Sequence, residues 1–188
     1  MKVAIAALTV LSGCYTTTSV SGMTALPEQV ARTAATATQI SRAVDVGEVS
    51  GGMPQELLSP TVEVENEALH QALEASLREA GLLASSSESA RYRLDATLVS
   101  LRQPTFGFDM TVSAAVWCKL TDLSSGQVVW QDTIARAYKA HLFDHFIGTE
   151  RLRLASEGAL RETIVELIVR ISGVHPAGSL SVSALRRR

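Results

Sequence analysis

The side chain whose surroundings point most clearly to chemistry is the thiol of Cys14. It follows directly on Leu11, Ser12 and Gly13, at the end of a short apolar run. A single positive charge, Lys2, precedes that run. A basic start, an apolar middle and small residues before a cleavage position are the order of a secretory signal, although this segment is shorter than most such signals.

The four residues that end at Cys14, LSGC, resemble the lipobox of bacterial lipoproteins, Leu-[Ala/Ser]-[Gly/Ala]-Cys. The resemblance implies that the thiol is acylated, that residues 1–13 are removed as a signal peptide, and that Cys14 begins the mature protein. Tyr15 stands where an aspartate would favour retention at the inner membrane of many Gram-negative bacteria. We therefore expect an outer-membrane, periplasm-facing protein. The alternative is that residues 4–11 form a buried strand or helix and Cys14 is an ordinary buried thiol.

Composition narrows the class of protein. The chain has 188 residues, a net charge of −2 and 46% hydrophobic residues, which suits one domain with a packed core. The near-neutral charge argues against a nucleic-acid-binding protein. The only basic run, residues 186–188, is a solvated tail or a contact for anionic head groups.

The second cysteine, Cys118, has no partner for an internal disulfide if Cys14 is acylated. It falls at an inward position of an alternating strand, where cysteine behaves as a small hydrophobic residue. We therefore predict a core role for Cys118, with an intermolecular disulfide as the minor alternative.

Four segments follow from the distribution of large apolar side chains. After the signal peptide over residues 1–13, residues 14–40 are rich in Ser, Thr and Ala and predict a flexible tether. A helical turn from Glu28 is expected within the tether, and the alternative is that part of the segment packs as an edge strand. Residues 41–173 predict a single periplasmic domain, and residues 174–188 a mobile tail.

Periodicity within the domain predicts its elements. They are a strand over 43–49, a helix over 66–80, strands over 91–101, 109–121 and 127–138, and a helix over 149–172. Asn66 and Thr149 are the predicted N-caps of the two helices. The strands alternate between apolar and polar residues, which is typical of a sheet with one buried face. We predict an α+β fold of order β-α-β-β-β-α, a largely antiparallel sheet with two amphipathic helices packed on one face.

One pair of histidines has the spacing of a metal-binding motif. His141 and His145 are four apart, as in the metalloprotease sequence His-Glu-x-x-His, but Leu142 occupies the glutamate position and no third ligand can be named. We expect a polar loop there, without a metal or another cofactor. No serine lies in Gly-x-Ser-x-Gly and no glycine-rich phosphate loop is present, so we expect no enzymatic activity.

Aromatic residues are the remaining candidates for a site. Trp117 is predicted on the solvent side of its strand, which can mark an interface, unless a helix or the tether covers it. Phe106 and Phe108 lie in a predicted connection, where they cover an end of the core or belong to the same interface. Phe143 and Phe146 lie in the next such connection.

The lipobox, the Ser/Thr tether and the element order from Cys14 to Gly173 are similar to small lipoproteins of Gram-negative bacteria. The families of that kind are the YajG-like lipoproteins and the lipopolysaccharide-assembly lipoproteins related to LptE. The resemblance implies a non-catalytic accessory role at the outer membrane.

Three hypotheses follow for the function. The first is a lipid-anchored binding or assembly module with a protein partner in the envelope. The second is an accessory component of lipid or lipopolysaccharide transport, which needs an apolar pocket for an acyl chain between sheet and helices. An envelope hydrolase is the third and least favoured.

Overall fold

The computed structural model describes residues 16–34, 40–52 and 62–174. Cys14, the predicted signal segment 1–13 and the predicted tail from residue 175 lie outside the described residues. The elements are β1 (Thr16–Thr17), α1 (Val20–Met23), α2 (Pro27–Ala34), β2 (Val44–Ser50), β3 (Val62–Glu63), α3 (Asn66–Glu79), β4 (Tyr92–Arg102), β5 (Met110–Asp122), β6 (Val128–Ala140) and α4 (Gly148–Ser172).

The main sheet has four strands in the order β2-β4-β5-β6. β4 and β5 pair antiparallel, as do β5 and β6, whereas β2 pairs parallel with β4. The predicted α+β class with a largely antiparallel sheet is therefore confirmed. The antiparallel register brings Met110, the first residue of β5, opposite Ala140, the last residue of β6.

Alternation along the strands gives the sheet one buried face and one solvated face. The inward side chains of β5 are buried, namely Met110, Val112, Ala114, Val116, Cys118 and Leu120. Cys118 is fully buried, as predicted, and its burial raises the pKa of its thiol to about 12. On the solvated face, the Lys119 ammonium lies 3.0 Å from the Asp95 carboxylate of the neighbouring strand.

Helices α3 and α4 pack on the buried face. The leucines of α3 that recur every four residues, Leu69, Leu73 and Leu77, are buried, as is the predicted stripe of α4. α4 has 25 residues and is about 38 Å long. No described helix combines the length and apolar character needed to cross a bilayer.

Both predicted N-caps were wrong by one residue or more. Glu65 is the N-cap of α3, and Ile147 that of α4. Asn66 is already helical, and its side-chain Oδ1 accepts a hydrogen bond from the N–H of Gly52 at 2.8 Å. That tertiary contact explains why asparagine stands there, because the side chain fastens the end of β2 to the start of α3.

The prediction of a flexible tether over residues 14–40 was wrong for the part that the structure describes. Residues 16–34 form β1, α1 and α2, and their side chains Met23 and Val30 are buried. The Glu157 carboxylate of α4 accepts hydrogen bonds from the N–H and Oγ of Ser19 at 2.7 and 2.9 Å. Small residues permit this approach, because a Cβ at Gly22 would overlap with Glu157. The described fold therefore begins at Thr16 rather than near residue 41.

A second close approach occurs at Gly158, in the middle of α4, beneath the ring of Tyr138. A Cβ at this glycine would overlap with ring atoms. We expect Gly158→Ala to lower the free energy of unfolding by about 1–2 kcal/mol, because the ring must move. At an exposed helix position the same change would raise it by about 1 kcal/mol.

Gly148→Ala, at the start of the same helix, is the matched control, since a Cβ there meets nothing closer than 3.7 Å. Denaturant unfolding measures both variants. Equal stability of the two would contradict the assigned packing of Tyr138 on Gly158.

Candidate functional site

Two loops meet at one end of the molecule. Residues 103–109 connect β4 to β5, and residues 141–147 connect β6 to α4. They are neighbours because Met110 and Ala140, the residues that follow and precede them, are paired across the sheet. We call residues 103–109 and 141–147 the phenylalanine loops.

All four phenylalanines of the chain lie in these loops. Phe106 is 87% exposed, Phe108 81%, Phe143 86% and Phe146 84%. Phenylalanine is one of the residues most often found buried, so four exposed side chains at one place need an explanation. Moving one such side chain out of water contributes about 1.5–3 kcal/mol. The loops therefore present a surface with a strong tendency to be covered.

This arrangement answers one question that the sequence left open. Phe106 and Phe108 do not cover an end of the core, since both project into solvent.

Trp117 is partly exposed on the solvated face of β5, with the Lys119 ammonium 5.9 Å from its ring centroid. It lies seven residues along β5 from Met110, about 23 Å away. The structure therefore separates Trp117 from the phenylalanine loops, and its role in an interface stays a prediction.

Polar side chains fix the backbone of the loops from within. The Asp109 carboxylate binds the Lys139 ammonium at 2.6 Å and accepts a hydrogen bond from the N–H of Leu142 at 3.2 Å. The hydrogen bond from Lys139 is the main reason that the pKa of Asp109 is lowered. Asp144 accepts a hydrogen bond from the N–H of His141 at 2.7 Å. Asp109 and Asp144 thus bind neighbouring groups of the loops and of β6.

The two histidines do not form the helical pair of a metalloprotease motif. His141 and His145 flank a turn, and the Nδ1 of His145 accepts a hydrogen bond from the N–H of Ile147 at 3.2 Å. Within residues 16–34, 40–52 and 62–174, no group of three or more His, Cys, Asp or Glu side chains is placed to hold a metal ion.

Arg151, in the first turn of α4, joins the two loops. Its guanidinium donates hydrogen bonds to the carbonyls of His145 at 2.7 Å and Phe146 at 2.9 Å. The third acceptor is the carbonyl of Gly107 in the other loop, at 3.5 Å. Only 6% of Arg151 is exposed, and its Nε has no partner among the described residues. Sequence reasoning missed this residue, because an arginine in a first turn is normally assigned to solvent.

A cleft of about 360 Å³ lies between the loops and the start of α4. Its lining includes the apolar side chains of Phe106, Met110, Ile147 and Leu152. Ile147 is itself 59% exposed. The apolar surface therefore continues from the loop tips into the molecule.

The first described residues lie beside one of the phenylalanine loops. β1 runs parallel to β3, with Thr16 opposite Val62. The side chain of Gln103, which opens the first loop, binds the N–H and the carbonyl of Val62 at 3.0 and 2.8 Å. Its amide also donates a hydrogen bond to the Oγ of Ser156, in the third turn of α4, at 3.3 Å.

Thr16 is therefore linked to Gln103, the first residue of the phenylalanine loops, through its strand partner Val62. Cys14 precedes Thr16 by two residues and lies outside the described residues.

No family model and no curated protein matches the sequence. Among solved structures, protein XCC0632 of Xanthomonas campestris, of the family DUF330, aligns with a TM-score of 0.55 and 17% identity, covering 72% of this chain and 87% of its own. A minor lipoprotein of Acinetobacter baumannii aligns at 0.43 and 14%, covering 71% and 92%. Lipoprotein GNA1162 of Neisseria meningitidis aligns at 0.39 and 11%, covering 68% and 99%. The likeness to XCC0632 shows a shared α+β fold, and the lower scores add nothing to that.

Proposed function

We propose that this chain is a lipid-anchored, non-enzymatic lipoprotein of the bacterial cell envelope that acts as a binding or assembly module. Cys14 is the residue that carries the lipid. The LSGC motif directly after an apolar run supports the anchor. The observation that carries the proposal is this motif, which ends two residues before Thr16, the first described residue of the fold.

Tyr15 favours the outer membrane, with the domain facing the periplasm. At that location, two or more acyl chains on Cys14 hold a protein stably, whereas one chain holds it only marginally. A protein partner in the envelope remains part of the proposal, with the solvated sheet face around Trp117 as its predicted contact. Trp117 lies about 23 Å along β5 from Met110, the residue that follows the first phenylalanine loop.

The transport alternative receives less support from the structure. An acyl chain between the sheet and the helices would need a pocket there. The described side chains in that layer, such as Leu73, Val116, Leu160 and Ile168, are between 0 and 4% exposed and belong to one continuous core. A carrier of lipid or lipopolysaccharide would therefore have to open that core or use the cleft of about 360 Å³ at the start of α4.

We expect labelled palmitate to be incorporated into the wild-type protein in Gram-negative cells and not into Cys14→Ser. The variant is also expected to lose sedimentation with the membrane fraction after the signal segment has been removed. Cys118→Ser is the control, and it should be labelled like the wild type, because its thiol is buried. An unlabelled wild-type protein, or labelling that is lost in Cys118→Ser alone, would overturn the proposed anchor.

A further inference from the structure

We propose that the phenylalanine loops insert into the surface of the phospholipid bilayer that holds the lipid on Cys14. The domain is then attached at two places, through the acyl chains and through Phe106, Phe108, Phe143 and Phe146. The inference deepens the proposed function and rests on it for the identity of the membrane. The affinity of the loops for phospholipid is a separate property that does not depend on acylation.

The chemistry of the loops suits a lipid surface. Their four phenylalanines are 81–87% exposed, and Ile147 adds further apolar area beside them. Burying polar groups without partners would oppose insertion. Here Asp109 is paired with Lys139 of β6, and Asp144 accepts a hydrogen bond from the N–H of His141. Arg151 donates hydrogen bonds to three loop carbonyls. Inserting the loop tips therefore removes mainly hydrocarbon from water.

The position of the chain entry selects a bilayer over a protein or a second copy. β1 begins opposite Val62, which binds Gln103 of the first phenylalanine loop, so the described chain begins next to that loop. Cys14 precedes Thr16 by two residues. An anchor this short keeps the loops at the membrane. Amphipathic elements at an interface reach about 5–10 Å into it, which is sufficient for a phenylalanine side chain.

Insertion at this end fixes the orientation of the domain. α4 begins at Gly148, next to the second loop, and extends away from the loops for about 38 Å. Its N-terminal end therefore faces the bilayer and its C-terminal end faces the periplasm. The solvated sheet face that carries Trp117 remains accessible.

The test uses the mature chain, residues 14–188, with Cys14→Ser, which cannot be acylated and retains every described residue. Its partition onto vesicles of phosphatidylethanolamine and phosphatidylglycerol is measured by cosedimentation. The same chain with all four phenylalanines changed to serine is compared with it. We expect the partition coefficient to fall at least about 100-fold, since each phenylalanine contributes about tenfold or more.

A matched control changes exposed apolar residues elsewhere, as in Val99→Ser, Val128→Ser and Val169→Ser, which are 49–51% exposed. This variant should bind vesicles like the parent. Binding of the parent should persist when salt is raised from about 0.1 M to about 0.5 M, which screens electrostatic attraction. Thermal unfolding of all variants confirms that the exposed substitutions leave the fold intact.

The inference is overturned if the parent does not bind vesicles, or if the two variants lose binding equally. It is also overturned if the parent dimerises in sedimentation and the phenylalanine variant does not, without a difference in vesicle binding. That result would assign the loops to a second copy of the chain. Loss of palmitate labelling with intact vesicle binding would reject the proposed anchor and retain the loop assignment.

Discussion

Replacing Glu157 with alanine is expected to lower the free energy of unfolding by about 2–3 kcal/mol and to release residues 16–34 from α4. The Glu157 carboxylate is only 2% exposed and accepts hydrogen bonds from the backbone and side chain of Ser19. It also pairs with the Arg153 guanidinium at 2.7 Å. Hydrogen bonds to charged groups contribute about 1.5–3 kcal/mol each, and here the partly buried donors of Ser19 would lose their acceptor.

Glu150→Ala is the control for this prediction. Its carboxylate pairs with the same Arg153 at 2.9 Å, and its hydrogen bond is the main reason that the pKa of Arg153 is raised. Because Glu150 is 32% exposed in its side chain, removing it should cost less than about 1 kcal/mol.

Two measurements separate the variants. Denaturant unfolding gives the free energies, and limited trypsin digestion followed by mass spectrometry reports cleavage after Arg32, the basic residue within the sequence of α2. Cleavage there requires local release of the segment. Faster cleavage is expected in Glu157→Ala alone. Equal cleavage rates in both variants would show that Glu157 does not hold residues 16–34.

Replacing Arg151 with methionine is expected to separate the two phenylalanine loops while all four phenylalanines are retained. The guanidinium is the donor to carbonyls in both loops, and methionine preserves only the apolar stem. We expect the free energy of unfolding to fall by about 2 kcal/mol, the contribution of hydrogen bonds from a charged group. Vesicle binding should weaken about tenfold, because disordered loops must be ordered on insertion.

Arg102→Met removes a positive charge at the same end of the molecule, from an exposed residue at the end of β4. It should change stability by less than about 0.5 kcal/mol and leave vesicle binding unchanged. If both arginine variants bound vesicles equally weakly, charge attraction would account for the binding. Arg151 would then have no role in positioning the loops.

Local sequence patterns were sufficient to predict much of the secondary structure of the domain. The alternation over β4, β5 and β6 and the stripes of α3 and α4 place side chains at periods of two and 3.6 residues, whatever the partner. Leu94, Cys118 and Ile164 consequently lie in the core as predicted. The cap positions were less well predicted, since Asn66 satisfies a tertiary partner instead of its own helix.

Residues 16–34 show why the tether was predicted wrongly. The tether was predicted because residues 16–34 contain few large apolar side chains, which are the usual sign of a packed segment. Its packing instead depends on the close approach of Gly22, a buried Met23 and the carboxylate of Glu157, which is 138 residues from Ser19. The parallel pairing of β2 with β4 is likewise a long-range contact without a local signature.

The sequence by itself determined the LSGC motif at Cys14, the α+β class and the presence of phenylalanine in only two connections. Those properties depend on residue types and on periods along the chain. Only the tertiary structure decided that the two connections lie side by side, that Arg151 fastens them together, and that Thr16 is linked to Gln103 through Val62. The pairing of Met110 with Ala140 and that of Thr16 with Val62 set these positions, and both are contacts between distant parts of the chain.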